Sequence, residues 1–275
     1  MIKSMFSAVT GLKTHQTMMD VIGNNIANVN TAGFSASRVL FKDMYYQTLS
    51  SASEATDNLG GTNPMQLGYG TTVGTIQVTN NRSGYQQTSR SLDLYIAGDG
   101  YFTITDSSGT MKYTRVGAFD FDASGNLVDA NGNFVVGMYS DSDGNVVLDK
   151  IKIDDFEDYV DIAINAAGVI TGKNTLTGDI EQLGQLSLAV FNNPGGLDQN
   201  GNQYYSVTEN SGDAVFTVAG SDLAGPLLSG ALEMSNVDLS KEFTDMIVAQ
   251  RGFQANSRVI TTSDQILEEL INLKR

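Results

Sequence analysis

Between Ile2 and Ile26, steps of three and four residues pick out Ile2, Met5, Val9, Leu12, Gln16, Met19, Gly23 and Ile26, and six of these eight are apolar. That spacing predicts an amphipathic helix of the coiled-coil type, and the alternation of a strand does not fit it. The other end of the chain repeats the pattern. Leu239, Phe243, Met246, Gln250, Phe253, Ser257, Ile260, Asp264, Leu267 and Ile271 follow the same steps, and Leu239, Met246, Phe253, Ile260 and Leu267 form one row with a seven-residue repeat. Val259, Ile266 and Leu273 form a second row, and Asn236 or Ser235 is placed to cap the helix. The two helices would be roughly 40 and 55 Å long. Neither can bury its stripe alone, and isolated helices are marginal in water. Pairing the two chain ends is the simplest solution, and the apolar surface left over then needs other copies of the chain.

The middle has a different pattern. Short β-rich runs at 73–78, 92–97, 101–105, 134–139, 160–164 and 186–191 are separated by turn signals such as Ser108-Gly109, Asp143-Gly144 and Pro194-Gly195-Gly196. Close spacing without βαβ alternation predicts an antiparallel all-β domain. From Leu49 to Leu67 the chain is rich in Ser, Ala, Thr and Gly with little periodicity, and it is expected to be an extended or flexible linker. The resulting division is an N-terminal helix at 1–30, a connector at 31–71, a β-domain at 72–225, a return connector at 226–238 and a C-terminal helix at 239–275. The fold class is α+β: long terminal helices paired as a coiled coil, plus an all-β, mainly antiparallel outer domain.

Composition narrows the chemistry. The 275 residues carry 31 acids against 16 bases, a formal charge of −15, so nucleic acid and anionic membrane surfaces are disfavoured as partners. No apolar run reaches the ~20 residues of a membrane-spanning helix, and Met1 to Phe6 lacks the continuous apolar block of a cleavable leader. Cysteine is absent and His15 is the one histidine. Disulfides, thiolate sites and multi-histidine metal sites are therefore excluded. His15, between Thr14 and Gln16, reads as a solvated helix residue. No P-loop is present, and Gly98-Asp99-Gly100 does not extend to a dinucleotide fingerprint. The best chemical lead is a set of Asp/Gly/Asn turns at 122–126, 129–133, 141–145 and 198–202, which resemble half of a calcium loop. Counted from Asp141, however, the twelfth position is Lys152, and hairpin turns account for the pattern. Asp154, Asp155, Glu157, Asp158 and Asp161 read as a solvated acidic loop. No catalytic residue, metal or cofactor is expected, and a calcium-binding or carbohydrate-active β-rich protein is the alternative of another class.

Asn24-Asn25-Ile26-Ala27-Asn28-Val29-Asn30-Thr31-Ala32-Gly33-Phe34 resembles the N-terminal signature of flagellar rod and hook proteins, with Ser35 where that family often has lysine. Ser235-Asn236-Val237-Asp238-Leu239 and the run Met246 to Arg258, with Gln250-Arg251-Gly252-Phe253 inside it, resemble the family's other end. Leu92 to Phe102 and Tyr113 to Phe119 resemble its middle, and the ending Asp264 to Arg275 is similar to short hook subunits of Gram-positive bacteria. The resemblance implies a structural, non-enzymatic subunit on the outside of the cell that polymerises with itself into a hook, a flexible tube that carries torque from rod to filament. The distal rod protein is the runner-up. Implied partners are other copies, the distal rod protein, the hook cap protein, the hook–filament junction protein and the flagellar export apparatus. Insertion into a membrane is not implied. The inner-core seam would use Ile2, Met5, Val9, Leu12, Met19, Ile26, Leu239, Phe243, Met246, Phe253, Ile260 and Leu267. The motif residues are Asn24, Asn25, Asn28, Asn30, Gly33, Phe34, Asn236, Gln250 and Arg251.

Overall fold

The computed structural model of the chain describes residues 2–55, 60–140, 146–154 and 156–273. Two helices run where the apolar spacing predicts them: α1, Ile2–Ala27, and α2, Leu239–Leu273. At 1.5 Å per residue they are about 39 and 52 Å long. α1 ends where Asn28 donates to the Asn24 carbonyl twice, from its backbone N–H at 3.2 Å and from Nδ2 at 2.9 Å. Gly33, with φ +68°, turns the chain beyond it, a conformation that a residue with a Cβ resists. α2 begins on Asp238, whose Oδ1 accepts from the N–H groups of Ser240 at 2.9 Å and Lys241 at 3.3 Å. The cap is thus Asp238, and not Asn236 or Ser235. Asn236 is engaged elsewhere: its Nδ2 donates to the Asn81 carbonyl at 3.2 Å.

The chain divides into two compact units. The first holds α1, the segment Ala36–Thr79 and the chain from Val237 through α2. The stretch Leu49 to Leu67, expected to be an extended or flexible linker, begins and ends on strands. Strand β1 (Ser37–Asp43) pairs antiparallel with β4 (Thr71–Val78), and β2 (Tyr46–Ser50) pairs antiparallel with β3 (Met65–Gly68). β2 and β3 are exposed along their whole length. With no buried face there is no alternation of apolar and polar residues to read, which is why the ribbon looks like a linker in the sequence. β1 and β4 pack against α1, and the Thr71 N–H donates to Thr10 Oγ1 at 3.4 Å.

The second unit comprises Asn30–Ser35 and Asn80–Asn236. Its main sheet is ten-stranded and antiparallel, with Tyr101–Thr105 flanked by Met111–Thr114 on one side and Phe134–Ser140 and Leu188–Val190 on the other. A three-stranded sheet joins Tyr159–Ile164, Val169–Asn174 and Ile180–Gln185. The β-runs expected at 101–105, 134–139 and 160–164 lie on these strands. Alternation explains the two cores: Phe102 and Ile104 point into one with Leu94, Phe119, Leu127 and Leu188, while Tyr101 joins Tyr113, Phe191 and Tyr205 in the other. Phe102 and Phe119 meet edge-to-face with centroids 5.0 Å apart. The expected turn at Asp141–Asn145, the residue Asp155 and the basic pair Lys274-Arg275 lie outside the described residues.

Candidate assembly site: the helix seam and its outward rows

α1 and α2 lie antiparallel, with Asn25 opposite Glu242, His15 opposite Gly252 and Gly11 opposite Asn256. α1 buries Ala8, Gly11, Thr14, Ile22 and Asn25, and α2 buries Ala249 and Ser263. Met246, Phe253, Ile260 and Leu267, the apolar row read from the sequence, are half-buried on the same side of α2. The row beside them is Glu242, Ala249, Asn256 and Ser263, which is small or polar. Small residues let the backbones close up. A Cβ added at Gly252 would lie 2.5 Å from His15 Cε1, and one added at Gly11 would lie 2.8 Å from Asn256 Nδ2.

This packing rotates both helices relative to the seam expected from apolar spacing. Met5, Leu12, Met19 and Ile26 are half-buried, whereas Ile2, Val9, Leu239 and Phe243 are exposed. Gln250 and Arg251 also face solvent, and Arg251 donates to Gln254 Oε1 at 3.3 Å. His15, expected to be solvated, packs over Gly252 and edge-on to Phe41 at 5.9 Å. Its glycine neighbour lies far along the chain, which is why the sequence offers no sign of the contact.

The asparagine-rich motif closes the end of this seam. Asn25 is buried. Its Nδ2 donates to the Ser37 carbonyl at 2.8 Å and to Glu242 Oε2 at 3.2 Å, and its Oδ1 accepts from the Ser37 N–H at 3.0 Å. One amide therefore ties α1, the start of β1 and the first turn of α2. Asn25→Ala leaves both backbone groups of Ser37 without this partner, and the expected loss is about 2–4 kcal/mol. Asn25→Asp should be no better, because a carboxylate would face the Ser37 carbonyl and Glu242. Denaturant unfolding followed by helix content checks both; an unchanged midpoint for either would remove the clamp from the account. Asn24 supports the helix end through its Oδ1, which accepts from Asn28 Nδ2 at 2.9 Å, and Asn30 is exposed. In the second unit, the Gly33 N–H donates to the Glu233 carbonyl at 2.9 Å, and the Phe34 carbonyl accepts from the Asn236 N–H at 3.4 Å. The two family-like motifs thus meet in one short ladder.

Outward from the seam lie apolar side chains left largely exposed among the described residues. Ile2, Phe6 and Val9 occupy the first turns of α1, and Leu239, Phe243 and Ile247 those of α2. Val248, Val259, Ile266, Leu270 and Leu273 run along α2 on a further face. The last row includes the second apolar row of the sequence. Phe6, Ile247 and Val248 fall off the three-and-four steps and were missed there.

Two of the Asp/Gly turns, at Asp122 and Asp129, have a structural job. Asp129 Oδ1 accepts from the N–H groups of Asn131 and Asn133 at 2.9 Å, and its Oδ2 accepts from Asn133 Nδ2 and the Tyr204 hydroxyl. Asp122 repeats this with Ser124 and Asn126, and its carboxyl is held below the usual range, first by the Asn126 side chain. Oxygens saturated with N–H donors are poor cation ligands. Among the described residues no group of three or more His, Asp or Glu is placed to hold a metal. Asp154, Glu157, Asp158 and Asp161 are exposed. Burial pushes the Tyr101 phenol up to about 12, and burial followed by donation to Asp129 does the same at Tyr204. The folded state therefore holds these protons more tightly than an unfolded chain, whose phenols titrate near 10. Their stabilisation is complete below pH ~10 and is lost as pH rises toward ~12. Phenolate absorbance during alkaline titration should show a late class of tyrosines that shrinks in Tyr204→Phe; a single class at the ordinary value would contradict this.

Two helices at the chain ends, joined by a small-residue seam and carrying uncovered apolar rows, with an antiparallel β-unit between them, make a structural subunit. Three family models match the chain: "Flagella basal body rod protein" over residues 5–34, "Flagellar hook protein FlgE/F/G D1 domain" over 95–172 and "Flagellar basal body rod FlgEFG protein C-terminal" over 228–273. The flagellar basal-body rod protein FlgG of Bacillus subtilis is 47% identical over 276 residues, covering all of both chains. FlgG of Borreliella burgdorferi is 36% identical over 278 residues, and the flagellar hook protein FlgE of the same organism is 30% identical over 444 residues, again covering all of each chain. A solved structure of the hook protein FlgE2 of Helicobacter pylori aligns with a TM-score of 0.24 at 17% identity, over 72% of this chain and 56% of that one. The chain belongs to the flagellar rod and hook family, whose members are axial structural proteins.

Proposed function

We propose that this chain is a rod-type subunit, the distal rod protein of the flagellar basal body, and that it polymerises with itself through the outward rows of its helix pair. The carrying observation is the set of uncovered apolar side chains along α2, namely Val248, Val259, Ile266, Leu270 and Leu273. Identical subunits meeting through unlike patches build an open helical filament, and burying the exposed half of one such side chain contributes about 1 kcal/mol. The choice of rod over the hook expected from the sequence rests on full-length similarity to rod proteins of nearly the same length. The ordered ladders of β1–β4 agree with it, since a rod needs a stiff wall and a hook a yielding one.

Hook subunit is the second reading, favoured by the ending Asp264 to Arg275 and by the likeness to a hook protein over its whole length. The hook cap and hook–filament junction proteins are partners under that reading. Under the first, the neighbours are other rod subunits and the first hook subunits, delivered by the flagellar export apparatus to the outside of the cell. Electron microscopy of basal bodies from a deletion strain separates the two. A truncated rod supports the first reading, and an intact rod without a hook supports the second.

A further inference from the structure

The chain holds two Asn-Gly dipeptides, Asn131-Gly132 and Asn200-Gly201, and the fold treats them differently. Asn131 Nδ2 donates to the Tyr204 hydroxyl, and the Gly132 N–H donates to the Asp129 carbonyl at 3.0 Å. Both reacting groups of that pair, the side-chain amide and the following backbone nitrogen, are held. Asn200 is exposed at the tip of the hairpin between Asp198–Gln199 and Tyr204–Ser206. There the backbone is wound through positive φ at three successive residues, Gly201 at +77°, Asn202 at +50° and Gln203 at +60°. The chain is fixed on either side of the tip, by Asn200 N–H donating to the Tyr204 carbonyl at 2.9 Å and Tyr204 N–H donating to the Gly201 carbonyl at 3.0 Å. The Asn200 side chain projects from it into solvent.

We propose that Asn200 is a site of spontaneous deamidation and that Asn131 is protected by the fold. At Asn200 the Gly201 backbone nitrogen gives its proton to solvent base and attacks Cγ. The N–Cγ bond forms, the Cγ–Nδ2 bond breaks and ammonia leaves. Water then opens the five-membered imide at either carbonyl and leaves an aspartyl or an isoaspartyl residue. The net change is one water consumed and one ammonia released, with no change in oxidation state. Glycine suits the step because no Cβ hinders its nitrogen. At Asn131 the same attack must first break two hydrogen bonds, which slows it. Each product adds a negative charge beside Asp198 on a chain that is already acidic, and the isoaspartyl form also lengthens the backbone within a tight turn.

Incubating the full-length folded protein in mildly alkaline buffer, followed by peptide mapping, reads both sites at once. The Asn200 peptide should convert at least about tenfold faster than the Asn131 peptide, the factor that about 1.4 kcal/mol makes in a rate. In Tyr204→Phe, which removes the hydroxyl that holds Asn131, the Asn131 rate should rise and the Asn200 rate should stay. The denatured chain should convert both at similar rates. Equal rates in the folded wild type, or a folded Asn200 slower than Asn131, would overturn the proposal.

Discussion

Gly252→Ala should open the helix pair. In an ordinary helix interior, alanine in place of glycine stabilises by up to ~1 kcal/mol. Here the added Cβ would lie 2.5 Å from His15 Cε1 and Nε2 and 3.0 Å from Nδ1. The imidazole cannot retreat freely, because Phe41 lies edge-on to it. Overpacking of this kind costs about 1–3 kcal/mol, so the sign reverses. Gly23 is the internal control, since nothing stands within 4 Å of a Cβ built there, and Gly23→Ala should stabilise slightly. Thermal unfolding followed by helix content should rank Gly23→Ala above wild type and Gly252→Ala below it. His15→Ala combined with Gly252→Ala should recover part of the loss, because the obstructing ring is gone. No recovery in the double variant would mean that the glycine is needed for some reason other than this contact.

Ile266→Asp together with Leu270→Asp should abolish polymerisation and leave the subunit folded. Both side chains are about half exposed in the single chain, at 48% and 49%. Placing carboxylates there costs the monomer little, within about 0.5 kcal/mol for each surface change. Between subunits the effect is large. Each copy loses the burial of the exposed halves of two apolar side chains, about 1.5–3 kcal/mol together, and must instead desolvate two charges. Sedimentation and electron microscopy report assembly, and circular dichroism reports the fold. Normal filaments from this variant would show that the polymer contact lies elsewhere, whereas a collapsed fold would show that the row is internal. Phe253→Asp makes a useful contrast. Phe253 is half-buried on the seam side of α2, so its loss should lower the melting of the helix unit as well as assembly.

The helices were legible because period and length were both strong: α1 and α2 run through the three-and-four steps at either end of the chain. Which face would meet which was not legible. Apolar spacing marks the side chains that dislike water, but Gly11, Ala249, Gly252 and Asn256 make the contact by being small or by fitting, and neither property leaves a hydrophobic signal. His15 was misread for the same reason. The ribbon β2–β3 was invisible because it has no buried face: every residue of both strands is exposed, so no apolar–polar alternation marks them. Tyr101–Thr105 and its neighbours could be read because both of their faces are covered, which leaves a dense β-branched and aromatic run. The asparagine motif could be recognised as a pattern, but the work of Asn25 could not. A buried amide binding Ser37 and Glu242 needs partners 12 and 217 positions away.

The antiparallel register has a consequence for direction. Continued from Asn25 opposite Glu242 through Gly11 opposite Asn256, it brings Ile2 level with Gln265. Among the described residues, α2 runs on past the level of Ile2 through Ile266–Leu273, about 12 Å at 1.5 Å per residue. Leu270, Ile271 and Leu273 sit on that overhang. The two ends of the helix pair thus differ: one carries Leu270, Ile271 and Leu273, the other Leu239, Phe243 and Ile247. Under the proposed self-assembly, subunits with such a polarity would add with a common heading.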